Sequence, residues 1–256
     1  MSVLAIFGLL LLILPIAGLF SRVDWAEFPA AITSPDALEA LWLSLRTATA
    51  ATVVCLVLGV PLALLIARSG PRLAGVLRAL TTLPLVLPPL VGGIALLYLL
   101  GRNGLIGGSL AVGLGIRIPF TTSAVVIAQS FVALPFLVIT LEATLRATGA
   151  RFETVAATLG ASRWTVFWRI TLPLAMPGLV AGTVLCFARA LGEFGATALF
   201  AGNAAGVTRT MPLAIYTAFN GAGVTQESAI ALSVLLVVVA IVILLFMRSW
   251  RADAPR

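Results

Sequence analysis

The sequence predicts an all-α integral membrane protein with six transmembrane helices. Of its 256 residues, 61% are hydrophobic and only 10% are charged, whereas ordinary soluble domains contain about 25% charged residues. The mean hydropathy is +1.16. A soluble fold of this length could not bury so much apolar surface, and six separate apolar segments are each about long enough to cross a bilayer.

Each predicted span is an apolar segment close to the roughly 20 residues that a bilayer requires. The first lacks the basic start and the small-residue cleavage pattern of a signal peptide. The second follows Ser34-Pro35-Asp36, a helix start with proline just inside it. The six segments lie at residues 3–20, 38–67, 80–100, 120–141, 172–192 and 229–247.

The arginines between the spans predict the orientation, because cytoplasmic loops carry an excess of positive charge. One set of loops has ten arginines and the opposite set has five, with Arg46 inside the second span. The ten-arginine side is predicted to be cytoplasmic, which places both termini in the cytoplasm. We expect the chain to lie in the plasma (inner) membrane. The ten are Arg68, Arg72, Arg78, Arg146, Arg151, Arg163, Arg169, Arg248, Arg251 and Arg256, and the five are Arg22, Arg102, Arg117, Arg189 and Arg209.

Prolines interrupt several of the spans, and each interior proline removes a backbone hydrogen bond and bends its helix. One interpretation is ordinary kinks in a packed bundle. The other is that the third and fifth spans bend around a pathway, since freed carbonyls need protein or water to satisfy them. In the later spans these prolines are Pro84, Pro88 and Pro89 in the third, Pro135 in the fourth, and Pro173 and Pro177 in the fifth.

The residue types that are missing exclude several classes of enzyme. All sixteen basic residues are arginine, and the chain contains neither lysine nor histidine. A P-loop, a Schiff-base lysine, a histidine-based triad and a His-Glu-x-x-His zinc site are therefore excluded. Cys55 and Cys186 both lie in apolar runs, which predicts neither a disulfide framework nor a metal site. We expect no catalytic residue in this chain.

The predicted cytoplasmic loop at residues 142–171 is too long for a plain turn. Its apolar residues follow a helical spacing up to Gly160, which is placed to end one helix, and Ser162 is placed to cap the next. Three interpretations are open for this amphipathic pair. It could lie on the membrane surface, imitate a helix-turn-helix, or dock into a cytoplasmic partner.

The second half of this loop resembles the cytoplasmic signature of ABC importer permeases. Gly160 is followed, after nine residues, by Ile170-x-Leu172-Pro173, which matches the family spacing; Ala156 fits the second alanine of the family's Glu-Ala-Ala opening, and Glu153 stands one position early. The resemblance implies a coupling helix that binds in a groove of an ATPase subunit. The residues implied in coupling are Glu153, Ala156, Ala157, Gly160, Ile170, Leu172 and Pro173.

Three further segments resemble molybdate permeases, and one of them also resembles sulfate permeases. They are residues 83–93, 190–203 and 208–216. The resemblance implies the type I importer architecture, with residues 1–37 as a first helix and external loop, 38–247 as the transmembrane domain, and 248–256 as a cytoplasmic tail. It implies the membrane subunit of a molybdate importer, with sulfate, thiosulfate and tungstate as alternative substrates.

The resemblance also implies the partners. Such permeases pair with a second copy of themselves, bind two cytoplasmic ATPase subunits that hold ATP and Mg²⁺, and receive the oxyanion from an external binding protein. We expect no cofactor in this chain and no nucleic acid partner.

The pathway itself should contain weak rather than strong anion ligands, because a transporter must release what it binds. Arg189 and Glu193 are four residues apart and can pair on one helical face; the pair could be purely structural or could shape an outer gate. The hydroxyl groups of the threonine and serine candidates could bind the anion, or each could hydrogen-bond back to a carbonyl of its own helix. The candidate pathway or gate residues are Thr81, Thr82, Pro88, Ser130, Thr183, Arg189, Glu193 and Thr197.

Two other functions compete with transport driven by ATP. An intramembrane enzyme would have only carboxylate pairs available, and Glu142 and Glu153 are predicted to face the cytoplasm. A passive anion channel would not need the long cytoplasmic loop. We therefore expect a transport subunit and not an enzyme.

Overall fold

The computed structural model describes residues 2–149, 151–221 and 226–252, and the regular structure within them is helical. In chain order the helices are α1 (Ser2–Ser21), α2 (Phe28–Ile32), α3 (Pro35–Arg68), α4 (Pro71–Val86), α5 (Pro89–Leu100), α6 (Gly107–Leu114), α7 (Thr122–Thr148), α8 (Arg151–Thr158), α9 (Arg163–Val166), a π-helical turn (Phe167–Thr171), α10 (Leu172–Leu191), α11 (Gly195–Phe200), α12 (Met211–Phe219) and α13 (Gln226–Ala252).

Four helical stretches in the described residues are long and apolar enough to cross a membrane, and a bent pair, α4 and α5, could form a fifth span. The four are Leu4–Ser21, Pro35–Arg68, Thr122–Thr148 and Arg163–Leu191. They correspond to the first, second, fourth and fifth predicted segments. The sixth predicted segment lies within α13, whose apolar stretch Glu227–Val242 is shorter than a span. The chain is thus an all-helical, multi-pass membrane protein.

Side-chain caps explain where several of these helices begin. Ser34 Oγ accepts a hydrogen bond from the Ala37 backbone N–H at 3.4 Å at the start of α3, as the Ser34-Pro35-Asp36 pattern predicts. Thr121 Oγ1 accepts from the Ala124 N–H at 3.3 Å at the start of α7. Ser162 Oγ accepts from the Thr165 N–H at 3.2 Å, so the predicted cap of α9 is confirmed.

The sequence predicts one bent helix for the third span. The structure instead has two helices there, which meet at an angle of 111°. Leu87 and Pro88 between them are extended, with ψ angles of 134° and 135°. The cause is the Pro88-Pro89 pair. A residue before proline is pushed out of the helical region, so Leu87 and Pro88 both leave it, and neither proline has an N–H with which to continue α4.

The fifth predicted span behaves differently, because α10 continues through Pro177 without a break. The irregular turn lies ahead of Pro173, where Phe167–Thr171 widens into a π-helix before α10 begins. The helical path is therefore continuous from Arg163 to Leu191.

The chain divides into two compact units. In the unit formed by Met1–Ser44 and Asn203–Val242, a core of Ala37, Ala40, Met211, Ala214 and Leu232 joins the start of α3 to α12 and α13. In the unit formed by Leu45–Gly202 and Ile243–Arg256, one core joins α3, α4, α7 and α10, and another joins α5, α7 and α11.

Small residues allow α7 and α10 to pack at close range. A Cβ at Gly178 would fall on the Thr144 side chain, and one at Gly182 would lie 3.1 to 3.3 Å from Leu137 atoms. Small residues at a helix interface let backbones approach within a membrane, where dispersion contacts rather than the hydrophobic effect drive association. The glycines of the fifth span thus mark a close helix approach within the chain.

We expect Gly178→Ala to lower the free energy of unfolding by about 1–3 kcal/mol, because its Cβ overpacks the Thr144 contact. The matched control is Gly75→Ala in α4, where an added Cβ meets nothing within 4 Å and alanine should stabilise the helix by about 0.5–1 kcal/mol. Thermal unfolding of both purified variants in detergent measures the difference. Equal melting temperatures for the two would contradict this account of the α7–α10 contact.

Candidate functional site

A cavity of about 180 Å³ lies at the break between α4 and α5. Pro84, Leu85 and Pro88 line it, together with Phe131 and Phe136 of α7. Because Pro88 and Pro89 have no N–H, the carbonyl oxygens of Pro84 and Leu85 cannot accept the usual helical hydrogen bond four residues on. The break thus leaves two residues that line the cavity without the usual helical hydrogen bond to their carbonyl oxygens.

Arg189 at the end of α10 also lines this cavity, and it forms the predicted pair with Glu193. Arg189 Nη2 lies 2.7 Å from Glu193 Oε2. The two partners differ in burial, with 26% of the Arg189 side chain exposed but only 1% of the Glu193 side chain. Glu193 Oε1 also accepts a hydrogen bond from the Ala196 N–H at 2.8 Å. The carboxylate is therefore held from two directions at the start of α11.

The start of α11 packs directly against the start of α5. A Cβ at Gly195 would lie 2.6 Å from Pro89 Cβ, and a Cβ at Gly93 would lie 2.9 Å from the Ala196 carbonyl oxygen. Only glycine fits such close backbone approaches. The break, the Arg189–Glu193 pair and α11 consequently form one connected structure.

Most of the predicted pathway hydroxyls bond to their own helices. Thr81, Thr82, Ser130 and Thr183 each donate to a backbone carbonyl three or four residues earlier, and Ser130 also donates to the Ala51 carbonyl of α3. Thr197 is different, because its Oγ1 is buried and has no hydrogen-bond partner among the described residues. The structure places Pro88 and Arg189 at one cavity but does not bring the hydroxyls together there.

Gly160 ends α8 with a left-handed turn, as the sequence predicts. Its φ angle is +83°. The Gly160 N–H donates to the Ala157 carbonyl at 3.1 Å, and the Ala161 N–H donates to the Ala156 carbonyl at 3.0 Å. These two bonds form a Schellman motif, which requires a residue that tolerates positive φ. Ala156, Ile170 and Pro173 line one cleft of about 690 Å³ beside this turn, so the structure brings these signature residues together.

Glu153, although one position early for the family signature, ties α8 to two other elements. Arg68 Nη2, at the end of α3, lies 3.0 Å and 3.1 Å from its two carboxylate oxygens. Thr171 Oγ1, at the end of the π-helical turn, donates to Glu153 Oε1 at 2.6 Å. The loop is therefore anchored to α3 and to the start of α10.

A second ion-pair cluster, centred on Glu142, was not predicted as a site from the sequence. Arg78 binds both oxygens of this carboxylate, with Nε at 3.2 Å from Oε2 and Nη2 at 2.5 Å from Oε1, and Arg146 Nε lies 2.7 Å from Oε1. Arg146 Nη2 also donates to the Ile66 carbonyl at 3.0 Å. The spacing of four residues between Glu142 and Arg146 indicates in the sequence that these two can pair. Arg78 lies 64 residues from Glu142, so no local spacing indicates that contact.

Comparison with known proteins gives a consistent result. Residues 59–251 match the family described as "binding-protein-dependent transport system inner membrane component". The molybdenum transport system permease protein ModB of Mycobacterium tuberculosis is 57% identical over 242 residues, which cover 94% of this chain and 90% of that protein. ModB of Escherichia coli is 39% identical, with 88% and 97% covered. The sulfate transport system permease protein CysT of the same organism is 36% identical, with 88% and 82% covered.

Among solved structures, a bacterial alginate ABC transporter in complex with an alginate pentasaccharide-bound periplasmic protein is similar to this chain. The TM-score is 0.70, and the match covers 95% of this chain and 89% of that chain. With 20% sequence identity, this likeness supports the fold alone.

The unequal burial of Arg189 and Glu193 predicts unequal effects of their substitution. Arg189→Ala leaves a buried carboxylate without its cation and should cost about 3–5 kcal/mol. Glu193→Gln should cost less, because a partly exposed guanidinium can be hydrated and the glutamine oxygen can still accept from the Ala196 N–H. The double variant should recover part of the Arg189→Ala loss, since no buried charge remains. The yield of folded protein and its thermal unfolding measure all three variants.

Two results would count against a structural role for this pair. One is an Arg189→Ala variant as stable as the parent chain. The other is a double variant less stable than either single one.

Proposed function

The chain belongs to the family of binding-protein-dependent transport system inner membrane components, and from that membership we propose that it is the permease subunit of an ATP-driven molybdate importer. The observation that carries the substrate is the 57% identity to ModB of Mycobacterium tuberculosis across 94% of this chain. As a permease, the chain is a transport subunit and not an enzyme. ATP and Mg²⁺ bind to a separate ATPase subunit, and the chain needs no cofactor of its own.

Six spans, in the type I importer arrangement, are the topology that fits the helices. The four long apolar stretches supply four spans, and the bent α4–α5 pair supplies another. The 27 residues of α13 would extend roughly 40 Å at 1.5 Å per residue, enough for the sixth. In this topology the first helix with its loop is formed by residues 1–37, the transmembrane domain by residues 38–247 and the tail by residues 248–256.

The arginine distribution supports cytoplasmic termini in the plasma membrane. Arg68, Arg78 and Arg146, all of the ten-arginine set, are held by Glu142 and Glu153 near the predicted cytoplasmic ends of their helices. Charges at these positions avoid the hydrocarbon region, where an isolated arginine costs about 2.5–3.5 kcal/mol on insertion scales.

The α8–Gly160–α9 segment is the proposed contact with the ATPase. It presents large apolar side chains to solvent, with Phe152 55%, Leu159 82% and Trp164 73% exposed. Patches of this kind on a loop mark a protein or membrane contact. Two such permease chains, two cytoplasmic ATPase subunits and an external oxyanion-binding protein make up the proposed complex. The matched family is described as binding-protein-dependent, which supports the external partner.

The proposed pathway passes the break between α4 and α5. Arg189, largely neutralised by Glu193, attracts a dianion only weakly, as release requires. The carbonyl oxygens at the break accept hydrogen bonds only, so they do not bind the dianion. We assign four residues to the gate at this break: Pro88, Arg189, Glu193 and Thr197. Thr81, Thr82, Ser130 and Thr183 are less suited, since their hydroxyls are engaged with backbone carbonyls. Sulfate, thiosulfate and tungstate are the alternative substrates, given the similarity to CysT.

Uptake into proteoliposomes tests this function. The chain, its ATPase subunit and its oxyanion-binding protein should together accumulate radioactive molybdate only when ATP is supplied on the ATPase side, and excess sulfate should compete poorly. Uptake of sulfate in preference to molybdate would assign the chain to the other substrate class. Anion flux without ATPase subunits would favour a passive channel.

Gly160 variants in the same assay test the coupling loop. Gly160→Val should lower ATP-driven uptake by about tenfold or more, because a β-branched residue at positive φ strains the turn by about 1–3 kcal/mol. Gly160→Asn is the matched control, since asparagine tolerates this conformation and a Cβ there meets nothing within 4 Å. Normal uptake by the valine variant, at normal abundance, would contradict the coupling assignment.

Cysteine labelling tests the orientation. A cysteine at Ser162 should react only with reagents that reach the cytoplasm, and one at Ala205 should react from outside. Both positions are exposed, and the native Cys55 and Cys186 are buried, so background labelling should be low. Reversed labelling would overturn the orientation and the coupling assignment together.

A further inference from the structure

A second cavity, of about 450 Å³, lies beyond the end of α5, away from the break. Its walls are mostly apolar, but Arg102, Asn103 and Arg117 also line it. Neither the cytoplasmic loop nor the pathway proposed above uses any of these residues. With the orientation proposed above, the cavity is at the external surface of the membrane.

The backbone holds the two arginines at this cavity although they are 15 residues apart in the sequence. The chain folds back onto the end of α5, where the Leu105 N–H donates to the Tyr98 carbonyl at 3.1 Å and the Ile106 N–H donates to the Leu99 carbonyl at 2.9 Å. After α6, the Ile116 N–H donates to the Leu110 carbonyl at 3.2 Å. The cavity is thus bordered by hydrogen-bonded backbone on both sides.

Arg102 and Arg117 carry uncompensated charge. In the described part of the chain, neither forms an ion pair or a side-chain hydrogen bond, whereas Arg68, Arg78 and Arg189 each pair with a glutamate. Two guanidinium groups at one cavity, with no acid beside them, produce a local field that attracts an anion. Their planar donors match the oxygens of a phosphate group.

Large exposed apolar side chains lie close in sequence to residues that line the cavity. Leu105 is 87% exposed, Val112 92% and Leu114 68%. In water such a patch would be unfavourable, but next to a bilayer it contacts acyl chains. A ligand that matches this surface combines an anionic head with apolar tails.

We propose that this cavity binds the phosphate head group of an anionic phospholipid. Arg102 and Arg117 bind the phosphate, and the apolar rim formed by Leu105, Val112 and Leu114 contacts the acyl chains. The proposal needs only a multi-pass membrane protein and does not depend on which substrate the chain carries. A docked external protein fits less well, because it would leave the apolar rim in water whenever it dissociates. A free oxyanion would use the arginines but not the rim.

Native mass spectrometry can test this on the full chain extracted from nanodiscs made of equal parts of phosphatidylcholine and phosphatidylglycerol. The parent chain should retain phosphatidylglycerol selectively. The Arg102→Gln/Arg117→Gln variant should retain it roughly 25-fold less well, at about fivefold for each arginine near an anionic surface. Arg22→Gln, which removes another exposed arginine of the same predicted side, is the matched control and should behave like the parent chain.

Three results would overturn the proposal. The first is equal phosphatidylglycerol retention by the parent chain and the double variant. The second is displacement of the lipid by millimolar inorganic phosphate, which would indicate a site for free oxyanions. The third is protection of a Val112→Cys variant from labelling in lipid-free detergent dimers, which would indicate a second copy of the chain at this surface.

A separate measurement covers the case in which the double variant does not fold. A photoactivatable phosphatidylglycerol should crosslink to residues 102–117 of the parent chain in the same nanodiscs. A crosslink found only elsewhere in the chain would contradict the proposal independently of any substitution.

Discussion

The Pro88-Pro89 pair is the constraint on which the arrangement around the break depends. Two consecutive residues without an N–H force Leu87 and Pro88 into extended conformations, and the chain turns by 111°. The pair also removes the two N–H groups that would bind the carbonyl oxygens of Pro84 and Leu85 in a continuous helix. It also brings the start of α5 against α11, where only Gly93 and Gly195 leave enough space. A straight helix over these residues would remove the cavity, the contact and the position of Arg189 beside it.

Paired charge is the second constraint. The ion pairs among the described residues all join an arginine to a glutamate. Glu142, Glu153 and Glu193 are each bound by arginine, and two of them accept a further hydrogen bond from a hydroxyl or a backbone N–H. Arginine stays protonated even in poorly solvated surroundings, whereas lysine loses its proton more readily when buried. The absence of lysine from this sequence therefore suits a protein whose ion pairs lie near or within a bilayer.

The sequence predicts well what depends on neighbouring residues. Ser34, Ser162 and Gly160 define helix ends because caps and left-handed turns act over three to five residues, and the Arg189–Glu193 pair follows from a spacing of four. The full extent of the break was not predicted, since single prolines bend helices and only the tandem pair stops one. The Arg78–Glu142 and Arg68–Glu153 pairs join residues 64 and 85 positions apart, which no local spacing can indicate. Hydroxyl positions alone could not show which groups bond to their own backbone and which, like Thr197, have no partner in the described chain.

The continuity of the helical path from Arg163 to Leu191 connects the loop and the gate in physical terms. At one end, Glu153 binds Thr171 within the π-helical turn and Arg68 of α3. At the other end, Arg189 lines the cavity at the break and binds Glu193, which caps α11. A displacement of the loop by a bound ATPase would therefore act on a single helix that runs roughly 40 Å at 1.5 Å per residue. Because α11 packs on α5 through backbone contacts, a shift of Arg189 would act directly on the break, and a loop movement would change the shape of the proposed gate.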